Sequence, residues 1–178
     1  MVADLRQRVY NKHKTYSVFQ KFTLLKEIQE RMRRFSMVDI SPKDIVTREA
    51  VAVGEIKLKA STITRLRSGK LEKGDAIAAA EVAAIQAAKN TPGLLPFCHS
   101  IPITTVRNEH RLTKDRVKVE SYVKGSAKTG VEMEALTAAA TYLLTIWDMT
   151  KQYEKDQNGQ YPETAITYLR VKKKIKRK

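Results

Sequence analysis

The sequence predicts an α+β fold, a ferredoxin-like split βαβ antiparallel sheet with helices packed on one face. Three observations predict it. Strand-like and helix-like runs follow one another in the order β-α-β-β-α-β. The two central β-like runs are joined by only Thr113-Lys114-Asp115, which reads as a hairpin. The last strand-like run follows the longest helical pattern in the chain.

Each element has a local reason. Ahead of the fold, FQKFTLLKEIQERMRR at 19–34 repeats Phe19, Phe22, Leu25, Ile28 and Met32 at spacings of three and four, predicting a short amphipathic helix. A strand is predicted over Glu49–Leu58, where VAVGEIKL alternates. A short helix is predicted over Ser61–Ser68, closed by Gly69. Asp75–Lys89 (DAIAAAEVAAIQAAK) reads as an Ala-rich helix with apolar residues on nearly every side, and a helix without a polar face is usually buried. Pro92, Gly93 and Pro96 break the chain before Phe97-Cys98-His99. The β-like runs Ile101–Leu112 and Arg116–Ser126 follow, with Val117, Val119 and Ser121 sharing one face of the second. A long helix is predicted from about Val131 to Glu154, then a strand over Thr164–Val171 and a basic tail.

Composition bounds the function. The chain has 178 residues, a formal charge of +15 and 42% hydrophobic residues, enough for one ordinary domain with a real core. The charge sits at the ends. Residues 1–36 hold nine Lys/Arg against three Asp/Glu, and residues 170–178 hold seven against none, leaving 18 against 16 between them. The basic ends suit solubilising segments better than a nucleic-acid domain, with polyanion or nucleic-acid binding as the alternative reading. Three parts are expected: a basic N-terminal arm over 1–36, a central folded domain over 37–170 and a basic tail over 171–178. One Cys excludes an internal disulfide and points to a reducing, cytoplasmic setting. The longest charge-free apolar run, Ala135–Trp147, has 13 residues, short of the roughly 20 a membrane helix needs.

The long helix separates into two stripes at about 100° per residue. Ala135, Ala138, Ala139, Tyr142, Leu143, Ile146 and Met149 form an ordinary core face. Met133, Glu134, Thr137, Thr141, Leu144, Asp148 and Lys151 form a second arc, too mixed for core and too sparse in charge for a solvated face. Its Thr residues leave room for something to lie against the helix. Asp148 and Lys151, three apart, can touch; the bland reading is an exposed ion pair worth ~0–1 kcal/mol. Glu132 fits a capping box with Thr129, or alternatively Lys128 and the free N–H groups of the helix start form an anion site. His99, between prolines, has a fixed direction. Cys98 has no partner at metal spacing and reads as an inert thiol. Lys73 precedes Gly74 and Asp75, a turn in which Asp75 caps the next helix.

Taken together, several runs resemble one family. Met37-Val38-Asp39-Ile40-Ser41, Thr47-Arg48-Glu49-Ala50, Lys73-Gly74-Asp75, Ile85–Lys89, Leu95-Pro96-Phe97-Cys98-His99, TGVEMEALT at 129–137 and LTIWDMTK at 144–151 are similar to the MoaC family, the cyclic pyranopterin monophosphate synthases of molybdenum cofactor biosynthesis. The resemblance covers about residues 37–170. It implies a substrate, the cyclic dihydro-GTP made from GTP, a pterin product and release of diphosphate. It implies no metal or redox cofactor, no membrane, and a hexamer built as a trimer of dimers with sites between subunits.

Carried over by motif, the resemblance makes Asp148 and Lys151 an acid/base pair and Lys73 a second catalytic lysine. His99 becomes catalytic and substrate-contacting, alongside Phe97 and Cys98. Glu132, Met133 and Glu134 become purine contacts, and Arg48 and Lys89 basic residues near the phosphates. Lysines with lowered pKa beside a carboxylate suit repeated proton transfer near neutral pH. The chain departs from the family at Glu81 and Asn90, and at its VKKKIKRK end, where one lysine is expected to replace the family's usual one.

Overall fold

A computed structural model of the chain describes residues 22–28 and 35–177. It divides into two compact units, Met1–Val38 and Asp39–Lys178. In the first unit residues 22–28 are helical; the rest of the helix expected over 19–34 lies outside the described residues.

Among the described residues the second unit has four strands and four helices. Strand β1 is Val46–Lys57, followed by helices α1 (Ala60–Arg67), α2 (Ala76–Lys89) and the single turn α3 (Thr91–Leu94). Strands β2 (Ile103–Leu112) and β3 (Arg116–Ala127) form the hairpin, then come helix α4 (Glu132–Glu154) and strand β4 (Ala165–Arg177). The sheet order is β2-β3-β1-β4, and every neighbouring pair is antiparallel. β3 is inserted between β1 and β2, the split βαβ arrangement the element order predicts.

Burial along β3 alternates, with Val117, Val119, Ser121 and Val123 inward, so the face predicted from the period of two is the core face. Opposite it on α4, Ala135, Ala138, Ala139, Tyr142, Leu143 and Ile146 are all buried. Met149 is only partly buried against this core. Gly54 of β1 lets α4 come close. A Cβ there would meet the Leu143 side chain at 2.8 Å and the Tyr168 carbonyl at 3.3 Å.

Two expectations change. The Ala-rich α2 buries one stripe, Ala76, Ala80, Ala84, Ala87 and Ala88, while Val82 is 59% exposed. Alanine carries too little apolar surface to force burial of every face, so one stripe suffices to dock this helix. The last strand does not end at Val171 but runs to Arg177, pairing Arg48 with Lys176 and Thr47 with Arg177. Its basic side chains are matched from neighbouring elements by Glu120, Glu132 and Glu49, so a run that reads as a solvated tail adds an edge strand instead. Lysines on an edge strand also discourage pairing with a further chain.

Candidate active site

The candidate residues carried by α4 lie at its two ends, Glu132, Met133 and Glu134 at the start and Asp148 and Lys151 near the other. The C-terminal end carries Asp148 and Lys151, one helical turn apart. Asp148 Oδ1 takes Lys151 Nζ at 2.8 Å and Oδ2 takes Lys73 Nζ at 2.8 Å. Lys73 Nζ also donates to the Asp148 carbonyl at 2.9 Å. Lys73 reaches this point from the turn before α2. Gly74 adopts a positive φ there, and Asp75 Oδ1 caps the helix through the N–H groups of Ile77 and Ala78. The capping role expected for Asp75 therefore holds, and the same turn aims Lys73 at Asp148.

All three side chains are about half exposed. Hydrogen bonds from Lys151 and then Lys73 hold the Asp148 carboxyl down to about 2. The hydrogen bond to Asp148 raises Lys151 above the ordinary lysine range. The lowered lysine pKa expected from the sequence is thus reversed for Lys151. An exposed ammonium hydrogen-bonded to a carboxylate keeps its proton, because that bond outweighs the little desolvation it meets. In this state Lys151 is a proton donor.

Helix α4 is anchored just beyond this cluster. The Glu154 carboxylate, fully buried, accepts the Lys59 N–H at 3.1 and 3.2 Å and the Thr164 hydroxyl. Lys59 is the N-cap of α1, and its Nζ donates to the Tyr153 and Lys155 carbonyls at the end of α4. One acid and one lysine therefore tie the C-terminus of α4 to the N-terminus of α1 and the approach to β4.

The N-terminal end of α4 differs in kind. The helix starts at Glu132, with Val131 as N-cap and no side-chain cap, so the capping box expected from Thr129 is not formed. Glu132 folds its carboxylate back over Gly130, where a Cβ would overlap it, and pairs with Lys174 of β4 at 3.1 Å. Lys128 does not turn to the helix start; its Nζ donates to the Ser41 carbonyl at 2.7 Å.

Glu134 is buried, and its Oε2 has no hydrogen-bond partner. Burial pushes its carboxyl above the usual range, and the neighbouring charge of Glu132 adds to the rise. Cys98 lies in the same neighbourhood. Burial and the Glu134 charge raise its thiol, as an inert cysteine requires. The turn Leu95–Cys98, closed by the Cys98 N–H on the Leu95 carbonyl, leaves Phe97 half exposed and His99 partly buried. The Ser41 N–H and hydroxyl hold the Asp39 carboxyl low, with the charges of Lys128 and His99 contributing. Met133 is 41% exposed beside Glu134.

Arg48 sends Nη2 to the Lys128 carbonyl at 3.4 Å and buries Nε without a partner. Lys89, in the last turn of α2, is exposed and has no ion pair among the described residues. The second arc of α4 is therefore mixed in burial as well as chemistry. Glu134 is buried at one end, and Leu144, Asp148 and Lys151 are exposed at the other.

The two clusters do not meet within one chain. Glu134 and Asp148 are separated along α4 by about 21 Å at ~1.5 Å per residue. Lys174, which composition alone assigns to a tail, is the residue that sequence reasoning placed worst. Only the β1–β4 register brings it to Glu132. Among the described residues no three of His, Cys, Asp and Glu gather as a metal cage. None of the described helices is long and apolar enough to cross a membrane.

Comparison with known proteins matches residues 37–176 to the MoaC family. The chain is 54% identical over 145 residues to a probable cyclic pyranopterin monophosphate synthase of Sulfurisphaera tokodaii, covering 82% of this chain and 96% of that protein. It is 56% identical over 140 residues to one of the same description from Sulfolobus acidocaldarius, covering 79% and 98%. A third, from Methanococcoides burtonii, is 52% identical over 143 residues, covering 80% and 90%.

Proposed function

We propose a function from one premise: the chain belongs to the MoaC family. It is a lyase of molybdenum cofactor biosynthesis, a cyclic pyranopterin monophosphate synthase. It converts (8S)-3′,8-cyclo-7,8-dihydroguanosine 5′-triphosphate to cyclic pyranopterin monophosphate and releases diphosphate.

The observation that carries this reading is the single Asp148 carboxylate shared by Lys73 and Lys151, on a helix whose other end presents Glu132, Met133 and Glu134. Opening a guanine ring and rebuilding it as a pterin needs protons delivered and removed in turn. Lys151, held charged by Asp148, supplies one. Lys73, once substrate draws it from Asp148, is the second proton carrier. Asp148 keeps both ammonium groups aimed at one point. His99, with Phe97 and Cys98, forms the contact turn. Glu132, Met133 and Glu134 meet the purine ring, and Arg48 and Lys89 meet the phosphates. Closing the cyclic phosphate expels diphosphate, and cations stabilise that leaving charge.

The distance between the two ends of α4 supports a site completed by a second copy, as in a hexamer made of three dimers. The reading keeps residues 1–36 as a basic arm ahead of the catalytic domain and places the enzyme in the cytoplasm. No metal or redox cofactor is called for by this chemistry.

Incubation of the purified chain with the cyclic dihydro-GTP, then oxidation and detection of the fluorescent pterin, tests the function. Pterin and diphosphate in equal amounts are expected. Their absence with a folded protein would sink it. Gel filtration giving a monomer at every working concentration would sink the shared site alone.

A further inference from the structure

Tyr153 stands beside the Asp148 cluster, and the proposed chemistry gives it no task. Its hydroxyl accepts the Glu72 N–H at 3.0 Å. Glu72 immediately precedes Lys73, and the two are the middle residues of a turn. The Gly74 N–H closes that turn on the Leu71 carbonyl at 3.1 Å. Leu71 is buried in the core on one side of the turn, and Asp75 caps α2 on the other. Across its middle the turn meets α4 at two places. One is the Lys73 side chain on Asp148. The other is the Glu72 N–H on Tyr153, five residues or about 7.5 Å further along the helix.

The two tethers differ in kind. A lysine carries its charge on a flexible four-carbon stem, so its backbone must be fixed for the ammonium to find one point repeatedly. The contact with Asp148 cannot do this through the reaction, because Lys73 leaves the carboxylate when substrate draws it away. The Glu72 bond involves no ammonium and is free to persist through that step. The Tyr153 ring is itself held. It packs against the core, and the Arg65 guanidinium of α1 lies 4.9 Å from its centroid. The hydroxyl is therefore an acceptor fixed by two helices.

We propose that Tyr153 is a positioning residue: its hydroxyl, with Arg65 steadying the ring, holds the turn over 71–74 so that Lys73 returns to the same point after each proton transfer. This rests on the reading of Lys73 as the second proton carrier. Tyr153 touches no reacting atom, and its effect passes through the turn.

Y153F removes the acceptor and keeps the ring with its contact to Arg65. Glu72 is exposed, so water takes over its N–H, and Tm should move by no more than about 2 °C. In the pterin assay kcat should fall ~5-fold, less than the ~10²-fold that a 1 Å misplacement can cost, while KM stays within about twofold. A residue that only stabilised the fold would lower Tm without that split between kcat and KM. Hydrogen exchange of the full chain, followed by mass spectrometry, reads the tether without substrate. One amide in the peptide over 69–76 should exchange ~5-fold faster in Y153F.

R67M is the control. Arg67, also on α1, donates to the Leu112 and Thr113 carbonyls at the β2–β3 hairpin, at 3.1 and 2.9 Å. Its loss should leave both kcat and the exchange of that peptide as in wild type. If Y153F does not fold by circular dichroism, R65M carries the test. It frees the ring and keeps the hydroxyl, with a loss of about twofold in kcat and faster exchange expected. Wild-type kcat in Y153F, or an unchanged peptide, overturns the positioning role, as does an equal loss in R67M. No pterin from wild type sinks the proposed function instead, and the exchange of the peptide then still decides whether Tyr153 fastens the turn.

Discussion

The two ends of α4 solve opposite electrostatic problems. At the C-terminal end, one exposed carboxylate is shared by two lysines and sits well below its ordinary pKa. At the N-terminal end, two carboxylates lie two residues apart, one is buried, and its pKa is pushed up. The first end is satisfied and wet; the second carries an orphaned oxygen and a crowded negative charge. Satisfied ion pairs hold protons in defined places, whereas unsatisfied buried groups are poised to receive a ligand. On the proposed function, proton delivery falls to the first end and ring recognition to the second.

The largest effect that could break this assignment is at Asp148. D148N removes the charge that aims both lysines, and turnover should fall ~10²–10⁴-fold, the range of a lost acid/base group. The protein should stay folded, because exposed ion pairs contribute only ~0–1 kcal/mol each. Pterin formation by stopped assay and a melting curve on the same sample check both halves. A variant that keeps near-normal turnover would return Asp148 to being a surface ion pair.

A second variant near the same end of α4 should do the reverse. E154A removes a buried acceptor of two N–H···O bonds and one O–H···O bond. It leaves the Lys59 N–H at the start of α1 unpaired, for a cost of about 2 kcal/mol. The midpoint of urea unfolding should drop with little change in slope. Glu154 lies six residues beyond Asp148, so kcat at low temperature should change far less than in D148N. Equal damage to kcat in both variants would mean that Asp148 acts through the scaffold and not on substrate.

The fold was legible because it is written in local periods. Alternation in Val117–Val123 and the core stripe of α4 each specify a face with no knowledge of partners. Asp148 with Lys151 was legible for the same reason, being one turn apart. The contact of Lys73 with Asp148 was not, because the two are 75 residues apart in sequence. The end of the chain misled for a different physical reason. A run of lysines reads as solvated when taken alone, but Glu49, Glu120 and Glu132 supply matching charge from other elements, which no sequence window contains. The proton affinity of Lys151 is not legible in the sequence, because burial cannot be read from residue type. A lysine is lowered by desolvation, and this one is exposed.

The smallest effect separates the two ends most sharply. On the proposed function Glu134 accepts from a ring N–H of the purine, which requires its ionised form. Its folded pKa is raised, so activity should be lost as pH falls through that raised value, giving an acid limb in kcat/KM above the ordinary carboxylate range. Asp148 cannot set this limb, because its carboxyl stays ionised down to about 2. Two substitutions should then move the limb in opposite directions. In E132Q the neighbouring negative charge is gone, Glu134 ionises more easily, and the limb should shift down by ~0.5 unit. In K174A the ion pair to Glu132 is lost, its charge bears more fully on Glu134, and the limb should shift up by a similar ~0.5 unit. Salt should shrink both shifts, since Glu132 and Lys174 are open to solvent. A limb that stays fixed in both variants while D148N moves it would exchange the roles of the two ends. Shifts of the same sign in both variants would mean that Lys174 does not act on Glu134 through Glu132.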